Sequence, residues 1–112
     1  MKEIKFLGNS LDNIRLFPNE AKQDVGFQLD KIQRGKKPEN WKPMKRIGHG
    51  VNEILIKSSD GIYRTIYIII SDEAIYVLRA FQKNIEKKAF IDASIIARKI
   101  SFFTLNRDQH DG

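Results

Sequence analysis

Arg64 and Arg79 stand inside the two most apolar stretches of the chain, Ile62 to Ile70 and Ala74 to Phe81. An unpaired charge in such surroundings is too costly to persist. Each arginine must therefore find a carboxylate, with Glu53 the candidate in the preceding apolar run, or line a wet groove that meets an anion. Lys57, Lys83 and Arg46 add cations near the same stretches, and Tyr63, Tyr67 and Tyr76 lie among them. Without a metal, such a cluster can stabilise the charge that builds on a phosphodiester when a ribose 2′-OH attacks it. A lysine or tyrosine whose pKa was lowered by cationic neighbours would serve as proton donor or acceptor. Other chemistries find little here. Gly48-His49-Gly50 lacks the Lys-Ser/Thr and following helix of a phosphate-binding loop. Glu53 has no second carboxylate beside it in the strand core, and the serines lack a matching His/Asp arrangement. There are no cysteines, and the histidines, His49 and His110, sit in a turn and a polar tail, so no metal site is expected.

These residues need a sheet to hold them. Val51 to Lys57 has strand length and ends at Ser58-Ser59-Asp60-Gly61, where Asp-Gly between apolar runs signals a hairpin. Ile62 to Ile70 follows, then a turn at Ser71-Asp72-Glu73, then Ala74 to Phe81. The three runs predict an antiparallel meander. Alternation with a period of two puts Ile62, Arg64, Ile66, Ile68 and Ile70 on one face and Tyr63, Thr65, Tyr67 and Ile69 on the other. It likewise groups Ile75, Val77, Arg79 and Phe81 against Tyr76, Leu78, Ala80 and Gln82.

With 112 residues, 41% of them hydrophobic and 30% charged, the chain is expected to form one globular domain over residues 1–112 with a polar tail from about 105. The run around Ile66 to Ile70 is too short to span a bilayer. With no signal-like apolar segment at the start and no cysteine, a cytoplasmic location is expected. The net charge of +6 is local. Lys31 to Arg46 holds seven basic residues (Lys31, Arg34, Lys36, Lys37, Lys42, Lys45, Arg46) and one acid, Glu39, and the rest of the chain carries thirteen of each sign. A concentrated basic segment on a balanced protein suggests a polyanionic partner, nucleic acid above all, against the plainer alternative of a solvated loop. Trp41 lies within it between Pro38 and Pro43 and would either anchor the loop on the core or stack on a base.

Earlier in the chain, Met1 to Phe6 alternates weakly and suits a short strand. Ser10 to Phe17 suits a short helix, capped by Asn9 or Ser10. Pro18 suits the first position of a second helix. Ala21, Val25, Leu29 and Ile32 make the apolar stripe of that helix from Asn19 to Arg34, with Gly35 as its C-terminal stop. The two helices would cover one face of the sheet. Met44 to Ile47 is expected as a strand. A last helix, from about Lys88 or Phe90 to Phe103, would present Ala89, Ala93, Ile96, Ala97 and Ile100.

Three blocks together resemble a known family. They are Trp41-x-Pro43-Met44-Lys45-x-Ile47-Gly48-x-Gly50-Val51-x-Glu53-Ile54, then Asp60-Gly61-x-Tyr63-Arg64-x-Ile66-Tyr67, then Ile75-Tyr76-Val77-Leu78-x-Ala80-Phe81-Gln82-Lys83. The pattern is similar to the phage-derived HigB branch of the RelE/ParE toxin superfamily over roughly residues 40 to 100. The resemblance implies an α+β, RelE-like fold: an N-terminal strand and helical hairpin packed on a twisted antiparallel sheet, with a closing C-terminal helix. It implies a toxin of a type II toxin–antitoxin pair that cuts mRNA on the ribosome without metal or cofactor, leaving a 2′,3′-cyclic phosphate, and that is neutralised by a helix-turn-helix, HigA-like antitoxin. By position, Arg64 matches the strand arginine expected to hold the scissile phosphate, and Lys83 the basic residue after Ala-Phe-Gln. Arg79 is a third catalytic candidate. Lys45, Arg46, Lys57, Lys36, Lys37 and Trp41 are candidates for nucleic-acid contact. The alternatives are a ParE-like gyrase inhibitor and a module that only binds its antitoxin.

Overall fold

The structure, a computed structural model, describes residues 1–70, 74–83 and 93–100. In chain order the elements are β1 (Glu3–Phe6), α1 (Ser10–Arg15), α2 (Asn19–Gln33), β2 (Trp41–Pro43), β3 (Val51–Ser58), β4 (Gly61–Ile69) and β5 (Ala74–Gln82). Residues 93–100 are helical and are called α3. The fold is α+β, as expected. The strands form one sheet in the order β1-β5-β4-β3-β2. Pairing is antiparallel from β2 to β5, while β1 joins the far edge parallel to β5. A parallel pairing needs a long crossover, and the connection supplies one. The chain leaves β1 and passes through both helices and three further strands before β5 comes to lie beside it.

The sheet is buried on both sides. On one face α1 and α2 supply Ile14, Phe17, Ala21, Val25, Leu29 and Ile32 against Ile54, Ile56, Tyr63, Tyr67, Ile75, Val77 and Ala80. The expected stripe of α2 is the buried one. Pro18 stands one residue before that helix, as its N-cap, rather than within its first turn. On the other face Ala93 and Ala97 of α3 close over Met44, Ile47, Val51, Ile66, Ile68, Leu78 and Phe81. The rest of the expected last helix, Ala89 included, and the turn at 71–73 lie outside the described residues.

Two strand expectations are corrected. Met44 to Ile47 is a turn, and the short edge strand is Trp41–Pro43 instead. Met44 and Ile47 are both buried on the α3 side, whereas a regular strand would send residues three apart to opposite faces. The Ile47 N–H accordingly donates to the Met44 carbonyl at 3.0 Å. In β5, strict alternation breaks. The register runs Ile66↔Arg79 and then Tyr67↔Val77, which leaves Leu78 as the extra residue of a bulge. A bulge flips the parity of everything beyond it. Ile75 and Val77 therefore share the helical face with Ala80, and Leu78 shares the opposite face with Phe81.

Candidate functional site

The face turned away from α1 and α2 has two halves. Around Met44, Ile47 and Val51 it is covered by α3, where the Ser94 hydroxyl donates to the Ile47 carbonyl at 3.1 Å. The other half carries charge. Residues paired directly across neighbouring strands present their side chains on the same face. The pairs Lys42↔Glu53, Glu53↔Ile66, Leu55↔Arg64, Lys57↔Ile62 and Arg64↔Phe81 therefore put Lys42, Glu53, Lys57 and Arg64 on one surface.

Arg64 and Glu53 are its centre. Arg64 Nη1 lies 3.3 Å from Glu53 Oε2, with the carboxylate side chain 1% exposed and the guanidinium side chain 13%. Lys42 Nζ approaches the other carboxylate oxygen, Oε1, at 3.9 Å, and its side chain is 61% exposed. One buried anion thus faces two cations, a fixed one and a solvated one. Arg64 takes the carboxylate foreseen for it and still keeps an edge at the surface. A planar guanidinium held in place by a carboxylate suits an anion whose charge is spread over several oxygens, such as a phosphodiester.

The other expected residues are distributed as follows. Lys57 is exposed, on the face of Arg64. Lys83 is exposed and lies one residue beyond β5; Gln82 faces Tyr63 across the strands, so Lys83 stands at the same end of the sheet as Arg64. Arg79 leans away. Its Nη1 donates to the Leu78 carbonyl at 2.9 Å, and its guanidinium lies against Gly8, between β1 and α1. Lys45 and Arg46 are exposed on the turn after β2. Lys36 and Lys37 are exposed in the loop after α2, and Lys37 Nζ sits 5.6 Å from the centre of the Trp41 ring. Trp41 pairs with Ile54, which faces the helices, so its ring is on the side of the sheet opposite Arg64. At 37% exposure it does not anchor the loop in the core.

Two of the three tyrosines expected among the cations lie on the opposite face. Tyr63 and Tyr67 belong to the helical face, and the Tyr63 ring stacks at 45° on Phe17 with centroids 4.6 Å apart. Burial pushes the Tyr67 hydroxyl up to about 12, away from a useful proton donor. Tyr76 faces Ile68, and its ring lies 5.9 Å from Lys5 Nζ. Among the described residues, no cluster of three or more His, Cys, Asp or Glu could hold a metal ion. No described helix is long and apolar enough to cross a membrane.

Sequence reasoning gave Lys42 no role beyond the basic segment and gave Glu53 only that of an ion-pair partner. The signal for Lys42 was its register with Glu53, which depends on β2 being Trp41–Pro43.

No curated protein matches the chain. Residues 12–100, which take in most of α1, then α2, strands β2 to β5 and α3, match the family described as Phage derived protein Gp49-like (DUF891). The chain therefore belongs to this phage-derived Gp49-like family of RelE- and HigB-type toxin-like proteins.

Proposed function

We propose that the protein is the HigB-type toxin of a type II toxin–antitoxin pair, a ribosome-dependent endoribonuclease that cuts mRNA and halts translation. The observation that carries this reading is Arg64, braced by Glu53 at 3.3 Å on a sheet face shared with Lys42 and Lys57. In the reaction, the ribose 2′-oxygen bonds to phosphorus and the bond from phosphorus to the 5′-oxygen breaks. The 2′-OH proton is lost to a base and the leaving 5′-oxygen gains one. The products are a 2′,3′-cyclic phosphate and a 5′-hydroxyl. Arg64 holds the phosphate and offsets the charge that grows on it. Lys83, exposed at the same end of the sheet, donates toward the leaving oxygen or binds the phosphate. A helix-turn-helix antitoxin is the partner that silences it.

Induction of the protein in cells, with mRNA 5′ ends mapped, tests the reading. Growth arrest with new 5′-hydroxyl ends in translated messages is expected, and Arg64→Ala and Lys83→Ala should each abolish both. Growth arrest that persists in both variants while DNA breaks accumulate would instead identify a gyrase poison.

A further inference from the structure

The basic segment does not all belong to the Arg64 face. Its first part forms a separate surface on the α2 side of the sheet edge, and that surface is held in place. Gly35, at φ +79°, ends α2: its N–H donates to the Ile32 carbonyl at 3.0 Å, and the Lys36 N–H donates to the Lys31 carbonyl at 2.9 Å. This pair of bonds is a Schellman stop, which fixes the direction in which the chain leaves the helix. Pro38 is buried. The Glu39 N–H donates to the buried Gln28 side-chain oxygen at 2.8 Å, and the Leu55 N–H donates to the Asn40 carbonyl at 2.8 Å. A loop tied down at both ends presents Lys36, Lys37 and Trp41 with little freedom left to lose on binding, which favours affinity.

The chemistry of that surface selects its ligand. Glu39, the acid of the segment, is already engaged by Lys31 at 3.1 Å, so Lys36 and Lys37 set the local charge. The edge itself is a poor template for another strand. Met44 N–H to Val51 O and Leu55 N–H to Asn40 O are the inward bonds of the ladder. By alternation, residues 41 and 43 turn their backbone outward, and position 43 is a proline with no N–H to give. What remains is an exposed indole with the Lys37 ammonium over it, and Lys36 exposed one position earlier in the same loop.

We propose that this ledge binds single-stranded RNA, with an unpaired base stacking on Trp41 and the flanking phosphates on Lys36 and Lys37. Lys37 moves from the ring to a phosphate as the base takes its place. The ledge is distinct from the Arg64 face and holds RNA whether or not that face cleaves it.

Trp41 is the single tryptophan of the chain, so its fluorescence reports on the ledge alone. The full chain is titrated with a 2′-O-methyl oligonucleotide of about 12 residues, within the span of single-strand sites, which has no 2′-OH to be attacked. Saturable quenching is expected, and an abasic oligonucleotide of the same length and charge should not quench. Binding, followed by anisotropy of a labelled oligonucleotide, should weaken roughly tenfold in Trp41→Ala and be retained in Trp41→Phe. Replacing Lys36 and Lys37 together by Ala should reduce the slope of log affinity against log salt by roughly 1.4. Equal quenching by the abasic strand, or unchanged affinity in Trp41→Ala, overturns the proposal. Cleavage mapping in cells decides the endoribonuclease reading separately: a ledge that binds in a protein that does not cut leaves this inference standing and removes the other.

Discussion

Arg64 and Glu53 form an ion pair of 3.3 Å across β3 and β4, diagonal to one another: Arg64 faces Leu55 while Glu53 faces Ile66. The carboxylate is the more deeply buried partner. Taking away the guanidinium leaves it inside the sheet, with the solvated Lys42 ammonium 3.9 Å away. Breaking a buried pair by removing one member costs roughly 3 kcal/mol or more, whereas removing both charges is often tolerated. Arg64→Ala should therefore lose about 3 kcal/mol in urea unfolding, and Glu53→Gln combined with Arg64→Ala should recover much of it. Equal losses in the single and double variants would mean that the pair contributes packing rather than charge balance. The same comparison guards the functional test, because an inactive Arg64→Ala protein that is also unfolded says nothing of phosphate binding.

Arg79 makes a different demand on the fold. Gly8 has φ +54°, and a Cβ added there would lie 2.6 Å from Arg79 Nη1. Gly8→Ala therefore combines a left-handed backbone, which costs about 1 kcal/mol or more for an L side chain, with displacement of the guanidinium. Thermal unfolding should show a drop of roughly 5 to 10 °C. Truncating Arg79 in the same chain relieves the contact but not the backbone strain, so the double variant should fall short of additive loss by about 1 kcal/mol. Strict additivity would show that the arginine simply swings aside.

The sheet was legible because Val51 to Lys57, Ile62 to Ile70 and Ala74 to Phe81 alternate or run apolar between polar turns, and α2 because its stripe is regular. Arg64 was legible as a charge in a strand that had to be paired, and Glu53 as the group that pairs it. The bulge at Leu78 was not legible, since no glycine or proline marks it and Arg79 beside it fits the plain alternation equally well. That one inserted residue moved Val77 to the helical face. Trp41–Pro43 was missed because two prolines nearby read as a loop, although proline is tolerated on an outward-facing edge position. With β2 misplaced, neither the partnership of Lys42 with Glu53 nor the separation of Trp41 from the Arg64 face could be derived.

Tyr67 sets an alkaline limit. Its hydroxyl is raised from 10.0 to about 12 by burial, so the unfolded chain ionises first. Below pH 10 both states are neutral at this site and nothing is lost. Between pH 10 and about 12 the unfolded state releases its proton while the folded state keeps it, and stability falls by roughly 2 kcal/mol across that window. Urea midpoints measured from pH 9 to 11.5 should decline more steeply for the parent chain than for Tyr67→Phe. Parallel declines would place the alkaline sensitivity in other groups.

Lys42 separates electrostatic reach from stability. At 3.9 Å from Glu53 with most of its side chain in water, its ion pair is of the kind that contributes at most about 1 kcal/mol. Lys42→Ala should therefore shift unfolding by less than about 0.5 kcal/mol, within the range of ordinary surface substitutions. Its position on the Arg64 face gives it a second role, because a solvated ammonium can turn from the carboxylate to a phosphate without unfolding anything. RNA binding by Lys42→Ala should lose affinity, and its slope of log affinity against log salt should shrink by about 0.7, the share of one phosphate contact on a single strand. Lys42→Arg should restore both. A Lys42→Ala protein that binds normally but unfolds as readily as Arg64→Ala would reverse the assignment. The lysine would then be a brace for Glu53, and the anion-binding edge of this face would reduce to Arg64 with Lys57.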